Sequence, residues 1–319
     1  MPHNTFRWKL VGGFGSLYLI WGSTYLAIRF ALETLPPFTM TGARFLVAGI
    51  VLYSWARLRG NPSPALQQWP PAILIGALLL LLGNGGVVWA EQSLSSGMTA
   101  LIIATQPLFL ALFDWMRPGG KRPSSVVAAG LILGFCGTGF LLAPWSPSTT
   151  FSWQGAASAL LASVAWAAGS LYALCANQPS SPFVSTGQQL FCGGTWLLLA
   201  GLLNGEWHAI SLTSVSLRSW IAVLYLLVFS SFVAFSAYLW LLRTTSPARA
   251  STYAYVNPVV AVSLGWLVAG EVVTVRMLFA MASIIVAVFL ILSRQTERAS
   301  KPSSMDPLLR MEDELCTSK

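Results

Sequence analysis

Apolar residues fill ten successive runs, each within the roughly 17–25 residues that an α-helix needs to cross a bilayer. They are Leu10 to Leu32, Phe38 to Trp55, Pro71 to Ala90, Met98 to Met116, Ser125 to Ala143, Trp153 to Cys175, Phe183 to Leu203, Trp220 to Leu242, Ala248 to Ala269 and Val275 to Leu292. Inside hydrocarbon every backbone N–H and C=O needs a protein partner, and a helix supplies those partners within one segment. The runs therefore predict an all-α integral membrane protein of ten transmembrane helices. Composition leaves no soluble alternative: 55% of the 319 residues are hydrophobic and 9% are charged, against about 25% charged in a soluble domain. The first run is longer than the core of a signal peptide and no small-residue cleavage site follows it, so it is expected to stay in the mature protein.

An even number of spans returns both termini to one side, and the basic residues say which. Of 18 Lys and Arg, fourteen fall in the N-terminus, the second, fourth and eighth connections and the tail. Three (Arg29, Arg218 and Arg276) fall on the opposite side, and Arg44 lies inside a span. By the positive-inside rule both termini face the cytoplasm. Because the positive charge sits in short turns and not in a patch with interleaved aromatics, nucleic-acid binding is excluded. Cys136, Cys175, Cys192 and Cys316 show no CxxC spacing, and His3 and His208 are too few for a His-based metal site, so no metal or cofactor is expected.

The runs repeat. An offset of 145 carries Trp21 to Trp166, Pro37-Phe38 to Pro182-Phe183, Thr41-Gly42 to Thr186-Gly187 and Gly49 to Gly194; an offset of 151 carries Trp89 to Trp240, Pro107 to Pro258 and Trp115 to Trp266. Five spans per copy is an odd number, so the second copy enters the membrane from the opposite face, which is an inverted-topology repeat. The expected division is a cytoplasmic N-terminus (1–9), a first repeat (10–145), a second repeat (151–293) and a polar cytoplasmic tail (294–319). Near the centre of the fourth and ninth spans stand Gln106-Pro107 and Asn257-Pro258. Each proline removes an N–H and frees the carbonyl four residues back, at Ile103 and Ala254, so both spans should kink.

Trp21-Gly22-Ser23-Thr24, Ala43-Arg44-Phe45, Thr105-Gln106-Pro107, Asn257-Pro258 and Gly270-Glu271, in this order within a ten-span duplication, resemble the EamA-type branch of the drug/metabolite transporter superfamily. The resemblance covers Leu10 to Leu292 and looks closest to bacterial inner-membrane metabolite exporters. It implies two five-helix bundles, a central cavity lined by the first four helices of each, alternating access and export of small metabolites such as amino acids or their derivatives. The chain departs from the pattern at Asp114-Trp115-Met116-Arg117-Pro118, where a Gly-Glu pair would be expected, and the tail from Lys301 to Lys319 has no family role. A multidrug exporter of amphipathic compounds is the alternative. A channel is disfavoured by the missing ring of charge, and a membrane-embedded enzyme by the lack of paired intramembrane aspartates or an HExxH motif.

Arg44 lies roughly 9 Å into the second span, at 1.5 Å per residue, and an intramembrane charge marks function by default. Either it binds a substrate carboxylate or phosphate, or it pairs with Glu91 or Glu33, or it snorkels; its repeat counterpart is the neutral Gln189. Gln106 and Asn257 either reach substrate or satisfy the carbonyls freed by Pro107 and Pro258, which are the candidate hinges. Trp21, Trp166, Tyr238, Tyr253 and Tyr255 are mid-span aromatics suited to a cavity wall, with Ser23, Thr24 and Ser170 adding hydroxyls. Trp8, Trp55, Trp145, Trp153, Trp207 and Trp220 read as an interfacial belt. No Asp, Glu or His stands in mid-span, which leaves Glu91 as the acid nearest the cavity, a proton or ion-pair site, and leaves facilitated diffusion and proton antiport both open. Gly130, Gly134 and Gly137 form a small-residue stripe for close packing, within the chain or in a homodimer. The expected partners are a small-molecule substrate and the lipid bilayer, and the expected state is a monomer.

Overall fold

The structure, a computed structural model, describes residues 2–116, 123–142, 152–209, 214–234, 237–238, 240–241 and 253–300. Outside the described residues lie Arg117, Pro118, Lys121 and Arg122, Trp145, the basic eighth connection with Arg243 and Arg249, the side chain of Tyr255, and the tail from Lys301 to Lys319 with Cys316.

Among the described residues the secondary structure is helical, with no strand. In chain order the helices are α1 (Pro2–Ala31), α2 (Pro37–Leu58), α3 (Trp69–Ile75), α4 (Gly85–Ala90), α5 (Ser96–Ile103), α6 (Gln106–Met116), α7 (Ser125–Leu142), α8 (Trp153–Cys175), α9 (Pro182–Leu203), α10 (Leu217–Tyr225), α11 (Tyr253–Ala269) and α12 (Val275–Ser300). Among the described residues seven helical stretches are long and apolar enough to cross a membrane: Trp8–Ala31, Pro37–Leu58, Leu66–Ala90, Ser96–Met116, Ser125–Leu142, Trp153–Cys175 and Leu217–Ala234. Val256–Ala269 and Val275–Ile291 are apolar but shorter. The helix α9 has 22 residues but carries Ser185, Thr186, Gln188 and Gln189, which dilute its apolar character.

Among the described helices the most extensive packing is α2 against α9. A Cβ on Gly42 would lie 3.0 Å from the Gly194 carbonyl oxygen, and one on Gly49 would lie 2.9 Å from that of Gly187. The pairing of 42 with 194 and 49 with 187 makes the two helices antiparallel, with a glycine every seven residues on each. A side chain at any of the four would meet backbone, which cannot yield. On the far side of α2, Val47, Ile50 and Val51 are exposed, as a lipid-facing stripe should be. Trp8, Trp55, Trp153, Trp207 and Trp220 are exposed as well, consistent with a belt.

The glycine stripe of α7 is used inside the chain. Gly130, Gly134 and Gly137 face Ala287, Ile291, Ser283 and Ala280 of α12, with Leu108 of α6 also against Gly134. A second feature was not foreseen from the sequence. The segment Gly76–Asn84, between α3 and α4, is a π-helix, and so is Leu226–Ala234 after α10. The two are nine residues each and lie 150 apart, so corresponding spans of the two halves carry the same widened turn. Polar side chains serve carbonyls five residues back in both, Asn84 to Leu79 at 3.2 Å and Ser231 to Leu226 at 3.3 Å.

The two proline sites differ. At Pro107 the helix is interrupted: α5 ends at Ile103 and α6 begins at Gln106. The Thr105 N–H takes the carbonyl of Ile102, three residues back, at 3.1 Å, and Thr105 Oγ1 donates to the same carbonyl at 2.7 Å. At Pro258 the helix continues through the proline. The corresponding residue there is Val256, which has no hydroxyl to hold the chain out of the helix.

Candidate functional site

Met40, Arg44, Ala48, Leu52 and Ala56 recur every four residues on α2 and are all buried, so Arg44 faces protein, not lipid. It is 4% exposed, its Nε has no hydrogen-bond partner, and its guanidinium carbon lies 4.2 Å from the centre of the adjacent Phe45 ring. Neither candidate ion-pair partner engages it: Glu33 pairs with Arg218 at 3.1 Å, and both oxygens of Glu91 are unbonded. Burial is at odds with snorkelling. A buried guanidinium with no ion-pair partner is disfavoured unless a ligand supplies one.

Gln189 is engaged, unlike its counterpart Arg44. Its amide donates to Gln178 Oε1 at 2.7 Å and to Ser185 Oγ at 3.1 Å, which ties the turn between α8 and α9 to the first turns of α9. The neighbouring Gln188, which sequence reasoning missed, is 1% exposed with both amide atoms unpartnered. Repeat alignment singled out Gln189; the tandem amides in one span were the available signal for Gln188.

Among the described residues the Gln106 side chain makes no hydrogen bond to the Ile103 carbonyl. Asn257 is 8% exposed with its Oδ1 unpartnered. Ser163 of α8 instead reaches the Ile102 and Ile103 carbonyls, at 3.4 and 3.5 Å. Trp21, Tyr238 and Tyr253 pack on one another, with ring centroids 4.9–6.1 Å apart. Ser23 shares a 2.6 Å hydrogen bond with Tyr225 and donates to Ile20 O; Thr24 donates to Trp21 O and Ser170 to Trp166 O. The Trp166 ring lies over Gly83, where a Cβ would sit 2.9 Å away.

The face that the charge count assigns to the outside is knitted together across the halves. Glu206 accepts from the N–H groups of Phe38 and Thr39, at 3.1 and 2.7 Å, and from Thr39 Oγ1 at 2.8 Å, so it caps α2. Thr34 donates to Ser219 Oγ at 2.8 Å, and Ser219 to the Phe30 carbonyl at 2.8 Å. Glu271 accepts from the N–H groups of Ser96 and Gly97, at 2.8 and 3.1 Å, and pairs with Arg29. This gives the Gly-Glu motif a role. Gly270 turns the chain in the left-handed region, φ 64°, and Glu271 then caps α5 from the other half. Gly265 leaves room for it, since a Cβ there would stand 2.5 Å from Glu271 Oε2. A cleft of about 550 Å³ beside this cluster is lined by Arg29, Glu33, Glu91 and the 92–95 turn.

A bundle of long apolar helices defines an integral membrane protein. The family model of the EamA-like transporter family matches residues 14–143 and again 153–293, and the chain belongs to that family. It is 40% identical over 284 residues to YedA of Escherichia coli K12, described as an uncharacterized inner membrane transporter, covering 88% of this chain and 90% of that one. It is 27% identical to PagO of Salmonella typhimurium, over 86% of this chain and 90% of PagO. A solved crystal structure matches with a TM-score of 0.61 at 21% identity, covering 89% of this chain and 96% of the other, which speaks to the fold alone.

Proposed function

We propose that this transporter-family protein is an alternating-access carrier of the inner membrane, built as two inverted five-span repeats with both termini in the cytoplasm, and that it exports small metabolites bearing an anionic group. Amino acids and their derivatives are the favoured class. Arg44 carries this reading, because a buried cation with no ion-pair partner among the described residues and an unpartnered Nε is suited to a carboxylate or phosphate, which it would grip in bidentate fashion. The paired glycine crossing of α2 and α9 and the matching π segments support the repeat. The inner-membrane location rests on the name of YedA, and the export direction on the family resemblance. Gln106, Asn257 and Gln188 are the proposed polar wall around the anionic end, and Trp21, Trp166, Tyr238 and Tyr255, with Ser23, Thr24, Ser170 and Gln189, the remainder of the lining. The occupied stripe on α7 supports a monomer.

The Trp21, Tyr238 and Tyr253 cluster favours a second reading, export of amphipathic aromatic compounds. Competition uptake in inverted vesicles, over a panel of anionic, zwitterionic, neutral and cationic solutes, separates the two. Solutes with a free carboxylate or phosphate should compete, and Arg44→Gln should reduce their apparent affinity at least tenfold, with Arg44→Lys in between. Unchanged affinity in Arg44→Gln defeats the anion reading.

A further inference from the structure

At the outer face two carboxylates lie near one guanidinium, that of Arg29, which pairs with only one of them. Glu271, from the second half, has both oxygens occupied by Arg29 and by the Ser96 and Gly97 N–H groups. Glu91, the first residue past α4 in the first half, is 7% exposed and has neither oxygen bonded. Tyr25 and Arg29 of α1, together with Glu271, lie within electrostatic range of it, and Glu33 lines the same cleft but is engaged with Arg218. An ionised Glu91 would therefore be a buried negative charge with no hydrogen bond or ion pair of its own, which a protein interior strongly disfavours. A bound metal is a poor remedy, since among the described residues no group of three or more His, Cys, Asp or Glu side chains is placed to hold one and the Glu271 oxygens are already committed. One proton suffices.

The cluster belongs to one face only. Under the repeat offsets Arg29, Glu91 and Glu271 correspond to Leu174, Leu242 and Gly120, so the duplication did not impose it. We propose that Glu91 is a proton-binding site filled from the outside when the outer face closes, so that external protons stabilise the closed outer gate. When that face opens, Glu91 meets water, loses its proton and competes with Glu271 for Arg29, which weakens the latch on Ser96 and Gly97. Uptake and release occur on the same side, so the site sets the conformational balance and does not carry protons across the membrane.

The sign follows from linkage. Burial first and the Glu271 carboxylate second push Glu91 well above the usual carboxylate range in the closed form, with Arg29 opposing them. The closed form thus binds more protons than the open one, and its advantage is lost as pH rises from the ordinary carboxylate range through the raised value.

The inference rests on the alternating-access reading, and the test keeps the two apart. Full-length protein with its four cysteines replaced is spin-labelled at Gln92→Cys and Val272→Cys across the outer joint, or at Leu58→Cys and Asn177→Cys on the cytoplasmic side. Distance distributions are then measured in lipid nanodiscs from pH 5 to pH 8. The closed outer population should grow severalfold towards pH 5 in the parent. It should be large and insensitive to pH in Glu91→Gln, and regain pH dependence in Glu91→Asp. No pH response in the parent, an unaltered response in Glu91→Gln, or closure driven by sodium at fixed pH overturns the proposal. If the outer pair responds as expected while the cytoplasmic pair never changes in the opposite sense, alternating access fails and the proton site stands.

Discussion

Glu271 accepts two backbone N–H bonds and one guanidinium at once, as many donors as Glu206 takes on α2. Glu271→Ala should destabilise the protein by about 1–3 kcal/mol, since two buried N–H groups and the partly exposed Arg29 lose their acceptor; a detergent melting curve measures it. Glu271→Gln, which keeps one acceptor oxygen, should fall in between. The motif Gly270-Glu271 was visible in the sequence, but its purpose was not, because Ser96 lies 175 residues away and no local pattern points to it. Arg44 was legible as a charge in a span. That neither Glu33 nor Glu91 would engage it was not, because helix rotation and the pairing of Glu33 with Arg218 decide that, and both are tertiary.

At the scale of elements, Pro107 and Pro258 read alike in sequence and behave differently in the fold. The break at Pro107 is held in part by Thr105, so Pro107→Ala alone should leave α5 and α6 separate. Joining them should need Thr105→Val in addition, seen as slowed amide exchange at Ala104 to Gln106. Pro258→Ala acts on a helix that is already continuous and restores an N–H to it. It should straighten α11 and slow turnover severalfold, and to a greater extent than Pro107→Ala; equal effects would argue against unequal hinges. The π segments escaped sequence reasoning for a related reason. Leu-rich runs satisfy α- and π-helical patterns equally well, and the widened turn is chosen by what it packs against, here Gly193 on Leu80 and Trp166 on Gly83.

Across the whole molecule, helix content, family and membrane class were legible, because hydrocarbon leaves a chain few ways to satisfy its backbone. The orientation is the prediction that belongs at this scale: a reporter fused after Lys319 should be active in the cytoplasm and silent outside, and the reverse result would invert every assignment of face. What sequence could not show was how the halves are fastened. Among the described residues, two carboxylate caps on first-half helices, Glu206 on α2 and Glu271 on α5, come from the second half. A ribosome making this chain therefore finishes residues 1–145 with the N–H groups of Phe38, Thr39, Ser96 and Gly97 still waiting for acceptors that it has yet to translate. Water must hold those positions meanwhile. The first half is in this sense a half-lock whose bolts are delivered last, and the second half completes its predecessor's helices as it folds.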